Sequence, residues 1–405
     1  MKKSFKETER QVEIIDEADV VVAGGGPAGL AAAICAARNG ADVLLIERYG
    51  CLGGMATGGL VIQLDNYCNG KDVVVRGIAE EMWRRLEQQK ATDIPAWFKR
   101  KNVLFDPEAY KWISLQMAEE AGVRMLLHAW AVSTICKDGN IEGLILESKS
   151  GRQAVQGRLF IDGTGDGDVA CWAGAPFEHG RQGIGVVARA GNVDYQAYRE
   201  FTRSHPNEWA PIETEARKKG LYRPEVSWRN DVIWFNNGID ADALSVKDLT
   251  SVEIQTRKKI QESLQFYRAN VAGFEKAFLL DTASQIGTRE SRRIICEHTL
   301  SSADISGKIF EDSIGKGNRW DKDLITYDIP YRCLIPRNVN NLVVAGRCMS
   351  TTHETHNITR TIPLCMVTGQ AAGTAAALAL KTGVRPAKVE IAKLQQMLRE
   401  QGANL

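Results

Sequence analysis

A glycine-rich turn that joins an apolar segment to a run of small residues constrains the fold of this chain most strongly. The sequence there is Ala18-Asp-Val-Val-Val-Ala-Gly-Gly-Gly-Pro-Ala-Gly-Leu-Ala-Ala-Ala33. Gly24, Gly26 and Gly29 have the G-x-G-x-x-G spacing. The first glycine permits a tight turn, the second lets the main chain approach a pyrophosphate, and the third lets the helix pack on the strand. The sequence therefore predicts a βαβ unit over residues 18–48 that binds a dinucleotide.

An acidic residue follows the second apolar segment of this unit. Glu47 lies 18 residues after Gly29. A carboxylate at this point accepts hydrogen bonds from both ribose hydroxyls and repels a 2′-phosphate, which argues against NADP. The helix between the two strands directs its free N–H groups and the positive end of its dipole at the phosphates.

Composition excludes several classes of partner. The 405 residues carry a net charge of +1, which gives no reason to expect nucleic acid or a membrane surface as a partner. The polar stretch Met1–Arg10 is unlike a signal peptide, and we expect no apolar run of membrane-spanning length, so the predicted location is the cytoplasm. Nine cysteines without a C-x-x-C motif predict free thiols and no metal site.

The order of apolar, glycine and polar residues predicts an α/β protein of 405 residues in two intertwined domains. We expect helices over 72–90, 106–122, 246–270 and 363–380, and strands near 123–136, 141–147, 183–193, 224–238 and 341–347. The cofactor domain is predicted to be discontinuous, over 1–175 and 285–405. Residues 176–284 then form an inserted α+β domain that covers the substrate.

Three segments that each end in glycine resemble the glutathione-reductase-like superfamily of FAD proteins. They are the turn Gly24–Gly29, the segment Ile161-Asp-Gly-Thr-Gly-Asp166 and the segment Leu342-Val-Val-Ala-Gly-Arg-Cys348. Within the superfamily, the chain is most similar to the FAD-dependent oxidoreductase family that is related to fumarate reductase flavoproteins. This similarity rests on Ile46-Glu-Arg-Tyr-Gly-Cys-Leu-Gly-Gly-Met55, Gly287-Thr-Arg-Glu-Ser-Arg-Arg-Ile294, Ile329-Pro-Tyr-Arg-Cys-Leu-Ile-Pro336, and Ala345-Gly-Arg-Cys-Met-Ser350 with Gly369-Gln-Ala-Ala-Gly373.

The resemblance implies a Rossmann-like FAD-binding domain, and FAD as the cofactor. It also implies that the helix from Pro363 directs its N-terminus at the flavin ring. The residues that it assigns to the cofactor are Gly24, Gly26, Pro27, Ala28, Gly29, Glu47, Arg48, Gly53, Gly54, Met55, Ala131, Thr164, Gly165, Gly346, Arg347, Gly369, Gln370 and Ala371.

The chain departs from the superfamily in three respects. Residues 41–52 contain no histidine for a covalent flavin linkage, and attachment through Cys51 stays an open alternative. Cys51 and Cys68 are too far apart for the motif of a disulfide reductase. There is no second G-x-G-x-x-G for a pyridine nucleotide.

Two clusters supply candidates for catalysis. The first is Thr352-His-Glu-Thr-His356 with Arg360, in which His353 is the preferred general acid or base and His356 the second choice. Arg360 is expected to bind an anion or polarise a carbonyl. The alternative is that these residues only hold the loop against the cofactor.

The second cluster is Arg289, Glu290, Arg292 and Arg293, whose spacing on a helix would place Arg289 and Arg292 or Arg293 on one face to bind a carboxylate. An internal ion pair with Glu290 is the favoured alternative. Trp228, Trp234 and Phe235 are expected to line the substrate site or else to pack in an inserted sheet.

We therefore expect an FAD-dependent oxidoreductase that transfers hydride between flavin N5 and a small polar organic substrate. The electron acceptor or donor is not defined, and the chain is compatible with a homo-oligomer. A flavoprotein subunit that only passes electrons to a protein partner is the alternative. A flavoprotein that modifies tRNA is disfavoured by the balanced charge.

Overall fold

The computed structural model describes residues 5, 9–69, 72–93, 103–319 and 325–405. Most of the stretch Met1–Arg10, on which the prediction about a signal peptide rests, lies outside these residues.

Eighteen strands and ten α-helices are found in the part of the chain that is described. The strands are β1 (Glu13–Ala23), β2 (Val43–Ile46), β3 (Gln63–Leu64), β4 (Thr92–Asp93), β5 (Val103–Phe105), β6 (Arg124–Leu126), β7 (Trp130–Lys137), β8 (Asn140–Ser148), β9 (Gly151–Asp162), β10 (Phe177–His179), β11 (Ala188–Gly191), β12 (Glu225–Val226), β13 (Val232–Phe235), β14 (Phe278–Thr282), β15 (Arg292–Ile294), β16 (Ser313–Asn318), β17 (Thr326–Pro330) and β18 (Leu342–Val344). The helices are α1 (Pro27–Arg38), α2 (Ile78–Gln88), α3 (Pro107–Glu120), α4 (Asp168–Trp172), α5 (Tyr195–Ser204), α6 (Pro206–Lys218), α7 (Val246–Asn270), α8 (His353–Thr359), α9 (Ile362–Thr382) and α10 (Ile391–Glu400).

The central sheet contains five parallel strands in the order β6-β2-β1-β9-β18. One edge of β9 is shared between two partners. Its first half pairs antiparallel with β8, which continues into β7, and its last three residues pair with β18. This arrangement confirms the predicted βαβ unit and the return of the chain to the same sheet about 180 residues later.

The carboxyl ends of four parallel strands lie level with one another. Ala23 is opposite Ile46 on one side and Asp162 on the other, and Asp162 is opposite Val344. The residues that follow these strands therefore meet at one edge of the sheet, where ligands bind in open α/β folds.

Helices α1 and α9 pack closely against each other because both carry small residues. A Cβ atom on Gly369 would lie 2.1 Å from the main-chain oxygen of Ala28, and one on Gly373 would lie 2.1 Å from that of Ala32. Glycine at these positions is thus required by the contact between the two helices.

Helix α9 corrects one expectation about length and hydropathy. It has 21 residues and is apolar enough to cross a membrane by length and composition. Its whole apolar window is buried inside the protein, as in the core helix of a globular fold.

A second sheet, in the order β12-β13-β11-β14, is built from residues of the predicted insertion. It shares a buried apolar core with α7, which begins and ends at the predicted residues 246 and 270. Trp234 and Phe235 belong to this core and not to the wall of a site, so the packing alternative is confirmed for them. The domain boundaries at 175/176 and 284/285 stay a prediction.

Helix α2 begins six residues later than predicted. Gly77 has a φ of +69°, a left-handed conformation that a helix does not continue through. The buried N–H of Ile78 donates instead to Oε1 of Gln370, at 3.1 Å. Tertiary contact with α9 therefore fixes the start of this helix.

Candidate active site

A cavity of about 1510 Å³, its open mouth included, lies where the parallel strands end. One part of its surface, the sheet-edge wall, is formed by residues at the carboxyl ends of the parallel strands and the start of α1. They include Gly24, Gly26, Pro27, Ala28, Glu47, Arg48, Gly163, Thr164, Gly165, Ala345 and Arg347.

The sheet-edge wall fits a group that needs close contact with the main chain. A Cβ atom on Gly54 would lie 2.8 Å from Cα of Gly26, so two main-chain segments meet here without side chains. A Cβ atom on Gly26 would have only the Cα of Gly54 within 4 Å, at 3.9 Å, and would project into open space. The space that a side chain would fill is therefore left free at the N-terminus of α1, where a pyrophosphate binds.

Glu47 lies on the same wall and is held by the main chain. Its Oε2 accepts from the N–H of Gly25 at 2.7 Å, and its Oε1 accepts from the N–H of Tyr49 at 2.8 Å. Burial raises the pKa of the Glu47 carboxyl, and these two N–H groups oppose that rise. The side chain is oriented before any ribose arrives, as its predicted role requires.

The end of β9 is fixed by a buried carboxylate. Oδ1 of Asp162 accepts from the N–H and the hydroxyl of Thr164, at 3.1 and 2.6 Å, and Oδ2 accepts from the N–H of Ala170 at 2.9 Å. Burial raises the pKa of Asp162 to about 6. Asp162 thus shapes the turn that carries Thr164 and Gly165 to the cavity.

Twelve of the eighteen predicted cofactor residues line the cavity. They are Gly24, Gly26, Pro27, Ala28, Glu47, Arg48, Gly54, Met55, Ala131, Thr164, Gly165 and Arg347. The guanidinium of Arg347 donates to Oδ1 of Asp166 at 2.9 Å and to the main-chain oxygen of Thr288 at 2.8 Å.

The other six predicted residues lie behind the wall and have packing roles in the structure. A Cβ atom on Gly29 would lie 1.8 Å from the main-chain oxygen of Gly24, and one on Gly346 would lie 2.6 Å from Cβ of Ala28. A Cβ atom on Gly53 would collide with Thr57, at 2.5 Å. The remaining three, Gly369, Gln370 and Ala371, lie in the part of α9 that packs on other helices.

The first turn of α9 faces the cavity. Thr361, Ile362 and Cys365 line it. The positive end of this helix therefore favours negative charge on a ligand beside it. Its position against the flavin ring stays a prediction.

Another part of the surface is formed by side chains from other elements. We call Gln63, Asp65, Asn236, Arg289 and Arg360 the polar wall; all five line the cavity. Arg289 donates to the main-chain oxygen of Gly183 at 2.6 Å and to Oδ1 of Asn236 at 3.3 Å. Arg360 donates from Nη2 to Oδ1 of Asn357 at 2.6 Å, while its buried Nε has no partner.

Burial changes the titration of the polar wall. It lowers the pKa of Arg360 to about 10, with a further decrease from the nearby Arg289 and Arg347, and it lowers the pKa of Arg289. It raises the pKa of Asp65 to about 7, although the charge of Arg360 opposes the rise. A carboxyl group that titrates near neutral pH in a cavity is a candidate for proton transfer.

The two histidines of α8 lie outside the residues that line the cavity. Nδ1 of His353 lies 3.0 Å from Oε1 of buried Glu290, and its imidazole is largely exposed. His356 is buried, and burial lowers its pKa to about 3. The predicted catalytic role of either histidine stays a prediction.

The predicted helix over Arg289–Arg293 is wrong. Residues Arg292–Ile294 form β15, which pairs antiparallel with β10, because the ladder to that strand outweighs local helical spacing. Arg293 instead forms an ion pair with Glu290 at 2.8 Å, which confirms the alternative proposed for this cluster. Only Arg289 of the three arginines reaches the cavity.

Sequence reasoning missed Asp65 and its neighbours. Val61, Gln63 and Asp65 line the cavity, whereas Ile62 and Leu64 between them are buried in the core. This period-two alternation is the signal that places every second residue of an extended segment on one face.

Two curated proteins resemble part of the chain in sequence. Thiamine thiazole synthase from Methanococcus vannielii is 29% identical over 164 residues, which cover 37% of this chain and 56% of that protein. Digeranylgeranylglycerophospholipid reductase 2 from Methanopyrus kandleri is 32% identical over 160 residues, which cover 37% of this chain and 38% of that protein. The chain thus spans about half or less of the length of these curated relatives.

Two solved structures share the overall fold. A geranylgeranyl bacteriochlorophyll reductase-like protein from Thermoplasma acidophilum has a TM-score of 0.52 and 14% identity, and covers 96% of this chain and 82% of its own. The p-nitrophenol 4-monooxygenase of Pseudomonas putida has a TM-score of 0.51 and 10% identity, and covers 96% and 84%. At these identities the likeness shows the fold alone.

The profile of one protein family spans almost the whole chain. It is described as FAD dependent oxidoreductase and matches residues 19–398, from the first parallel strand to the last helix. The matched range contains both the sheet-edge wall and the polar wall. The chain therefore belongs to the family of FAD-dependent oxidoreductases, with FAD as its cofactor.

Proposed function

We propose that this enzyme transfers hydride between N5 of FAD and a carbon atom of a small polar substrate, such as an alcohol, an amine, an enoate or a carbonyl compound. The observation that carries the proposal is that the sheet-edge wall and the polar wall belong to one cavity. FAD supplies the hydride chemistry when it is bound. The protein must then place a substrate and handle charge and protons.

Different residues of the cavity are proposed to bind the cofactor, to hold the substrate and to transfer the proton. Gly26 and the N-terminus of α1 bind phosphate, and Glu47 accepts from ribose hydroxyls. Arg289 and Arg360 hold an oxygen of the substrate, because their side chains line the cavity and are themselves held by neutral acceptors. Asp65 and, as first predicted, His353 are the candidates for the proton.

Anaerobic reduction of the flavin tests the proposal. FAD-loaded protein is mixed with alcohols, amines, enoates and NAD(P)H in turn, and loss of oxidised-flavin absorbance is followed. We expect bleaching by at least one organic substrate, with a rate at least about tenfold lower in Arg289→Gln and Arg360→Gln and unchanged in the surface control Arg181→Gln. Arg181 is exposed and lies near Asp242, outside the cavity wall.

An electron-transfer subunit gives a different result. Its flavin is reduced by a protein partner or an artificial donor and by none of the organic compounds, and neither arginine substitution alters the rate. Two arginines on the wall of the cavity favour the enzyme, because a subunit that only relays electrons needs no substrate-binding cations. The cytoplasmic location and a homo-oligomeric state stay predictions.

A further inference from the structure

The polar wall has more fixed positive charge than its own groups neutralise. Arg289 and Arg360 both line the cavity, and within the described part of the chain no carboxylate lies within 4.0 Å of either guanidinium. The acceptors that they do have are neutral: an amide oxygen of Asn236, one of Asn357 and the main-chain oxygen of Gly183. The buried Nε of Arg360 has no partner.

This arrangement indicates an anionic ligand. A cation taken out of water without a counter-charge costs free energy, and its pKa falls, as it does for both arginines. An anion that binds between them removes that cost. The planar guanidinium has a fork of donors that matches a carboxylate, so a carboxylate is the ligand group that fits best.

Asp65 is the group on the wall whose charge competes with such a ligand. Its pKa is raised to about 7 by burial, with Arg360 and Gln63 favouring the charged form and Glu225 the neutral form. The charge of Arg360, at the end of α8, and the charge of Glu225, on β12, both change the pKa of Asp65. Arg289, near both Arg360 and Glu225, adds positive charge. When Asp65 is ionised it attracts Arg360 and repels an anion; when it is neutral it does neither.

We propose that the polar wall binds the carboxylate of an organic acid substrate together with one proton, which Asp65 takes up from solvent as the anion reaches Arg289 and Arg360. The balance is simple: one anion and one proton enter, and no bond of the ligand breaks. The bound acid then lies beside a neutral carboxyl group, which is a proton donor for the reaction. The inference rests on the proposed function only in treating this ligand as the substrate.

Titration of the FAD-loaded protein with oxalate, malonate and succinate tests the inference, with succinamide as an uncharged control. Binding is followed by perturbation of the flavin spectrum and by calorimetry in two buffers of different ionisation enthalpy, which counts protons. We expect at least one diacid to bind and succinamide not to bind. Above pH about 7, proton uptake should approach about one per anion and affinity should fall about tenfold per pH unit.

Three variants and a control locate the effect. In Asp65→Asn the affinity becomes independent of pH above about 6 and proton uptake disappears. In Arg289→Gln and Arg360→Gln affinity falls by at least about tenfold, whereas in Arg181→Gln it does not change. The inference is overturned if wild type binds no diacid at pH about 6, or if Asp65→Asn keeps the wild-type pH dependence.

The same data separate this inference from the proposed function. Flavin reduction by an alcohol or an amine that has no carboxylate, without diacid binding, overturns the inference and leaves the proposed function standing. Diacid binding with proton uptake, but no flavin reduction by any organic compound, supports the inference about the binding site and overturns the proposed function.

Discussion

Nε2 of His356 lies 3.1 Å from the main-chain oxygen of Arg289, so a histidine behind the cavity holds an arginine that lines it. His356 is buried, and Nδ1 lies 3.4 Å from the hydroxyl of Thr351. Because its pKa is lowered to about 3, the imidazole is neutral at ordinary pH, and Nε2–H is the donor to the carbonyl. His356 is thus a positioning residue for Arg289.

Substitution of His356 should weaken anion binding without loss of FAD. We expect His356→Ala to lower the affinity for the diacid probes about tenfold, because one hydrogen bond of ~1.4 kcal/mol is lost, and to leave the affinity for FAD within about twofold. His356→Gln can place its amide N–H near the position of Nε2 and should recover most of the affinity. Equal loss in both variants would indicate a packing role only.

The pH dependence of stability should report on Asp65. Its pKa in the folded state is about 7, above the ordinary value of 3.8, so the folded protein binds more protons than the unfolded chain between these values. Stability from this group is therefore present at acid pH and is lost as pH rises through about 7. Asp65→Asn should raise Tm at pH about 8 and have little effect at pH about 4; a uniform shift would contradict the assignment.

Gly369→Ala should destabilise the contact between α1 and α9. The added methyl group would lie 2.1 Å from the main-chain oxygen of Ala28, and neither main chain can move without disturbing the sheet-edge wall. We expect the free energy of unfolding to fall by about 1–3 kcal/mol or more, measured by urea denaturation. Lys381→Ala, at the exposed end of the same helix, is the control and should be nearly neutral.

Glu47→Ala should weaken FAD binding directly. Charge-assisted hydrogen bonds contribute about 1.5–3 kcal/mol each, so Kd should rise about tenfold to a hundredfold in a fluorescence titration of the apoprotein with FAD. Glu142→Ala removes an exposed carboxylate on β8 and serves as control. Full affinity in Glu47→Ala would remove this residue from the ribose site.

Two substitutions compare the candidates for proton transfer. Asp65 lines the cavity, whereas His353 is outside its wall and contacts Glu290. We therefore expect Asp65→Asn to slow substrate-driven flavin reduction by about a hundredfold, within the range for general acid–base groups, and His353→Ala to slow it much less. Both variants should retain FAD. The opposite order of rates would support the first hypothesis, that His353 is the general acid or base.

The cofactor end of the site follows from local sequence, because its requirements are local. A tight turn, a close main-chain approach and an acid at a fixed distance each leave a residue type at a fixed position, as at Gly24, Gly26 and Glu47. The fold class and the cofactor could be predicted for this reason. The resemblance assigns Gly369 and Gln370 to the cofactor, and the structure shows their contacts with Ala28 and Ile78; the assignment itself stays a prediction.

The substrate end could not be predicted in the same way. Asp65, Asn236, Arg289 and Arg360 come from four separate parts of the chain, and only the tertiary fold brings them to one wall. Asp65 is marked in the sequence only by the period-two alternation of residues 61–65, and its unusual pKa is a property of its burial in the folded protein. The helix predicted from local spacing at Arg289–Arg293 is also wrong, because pairing with β10 overrides helical periodicity.

The two strands that pair with the same edge of β9, β8 and β18, impose an order on the folding of the central sheet. Residues 160–162 pair with a strand that lies about 180 positions further along the chain, at Leu342–Val344. During translation, most of the polypeptide must therefore be synthesised before β18 can close this edge of the parallel sheet. A nascent chain that ends before Leu342 therefore leaves the strand edge of Phe160–Asp162 open to pairing with other chains.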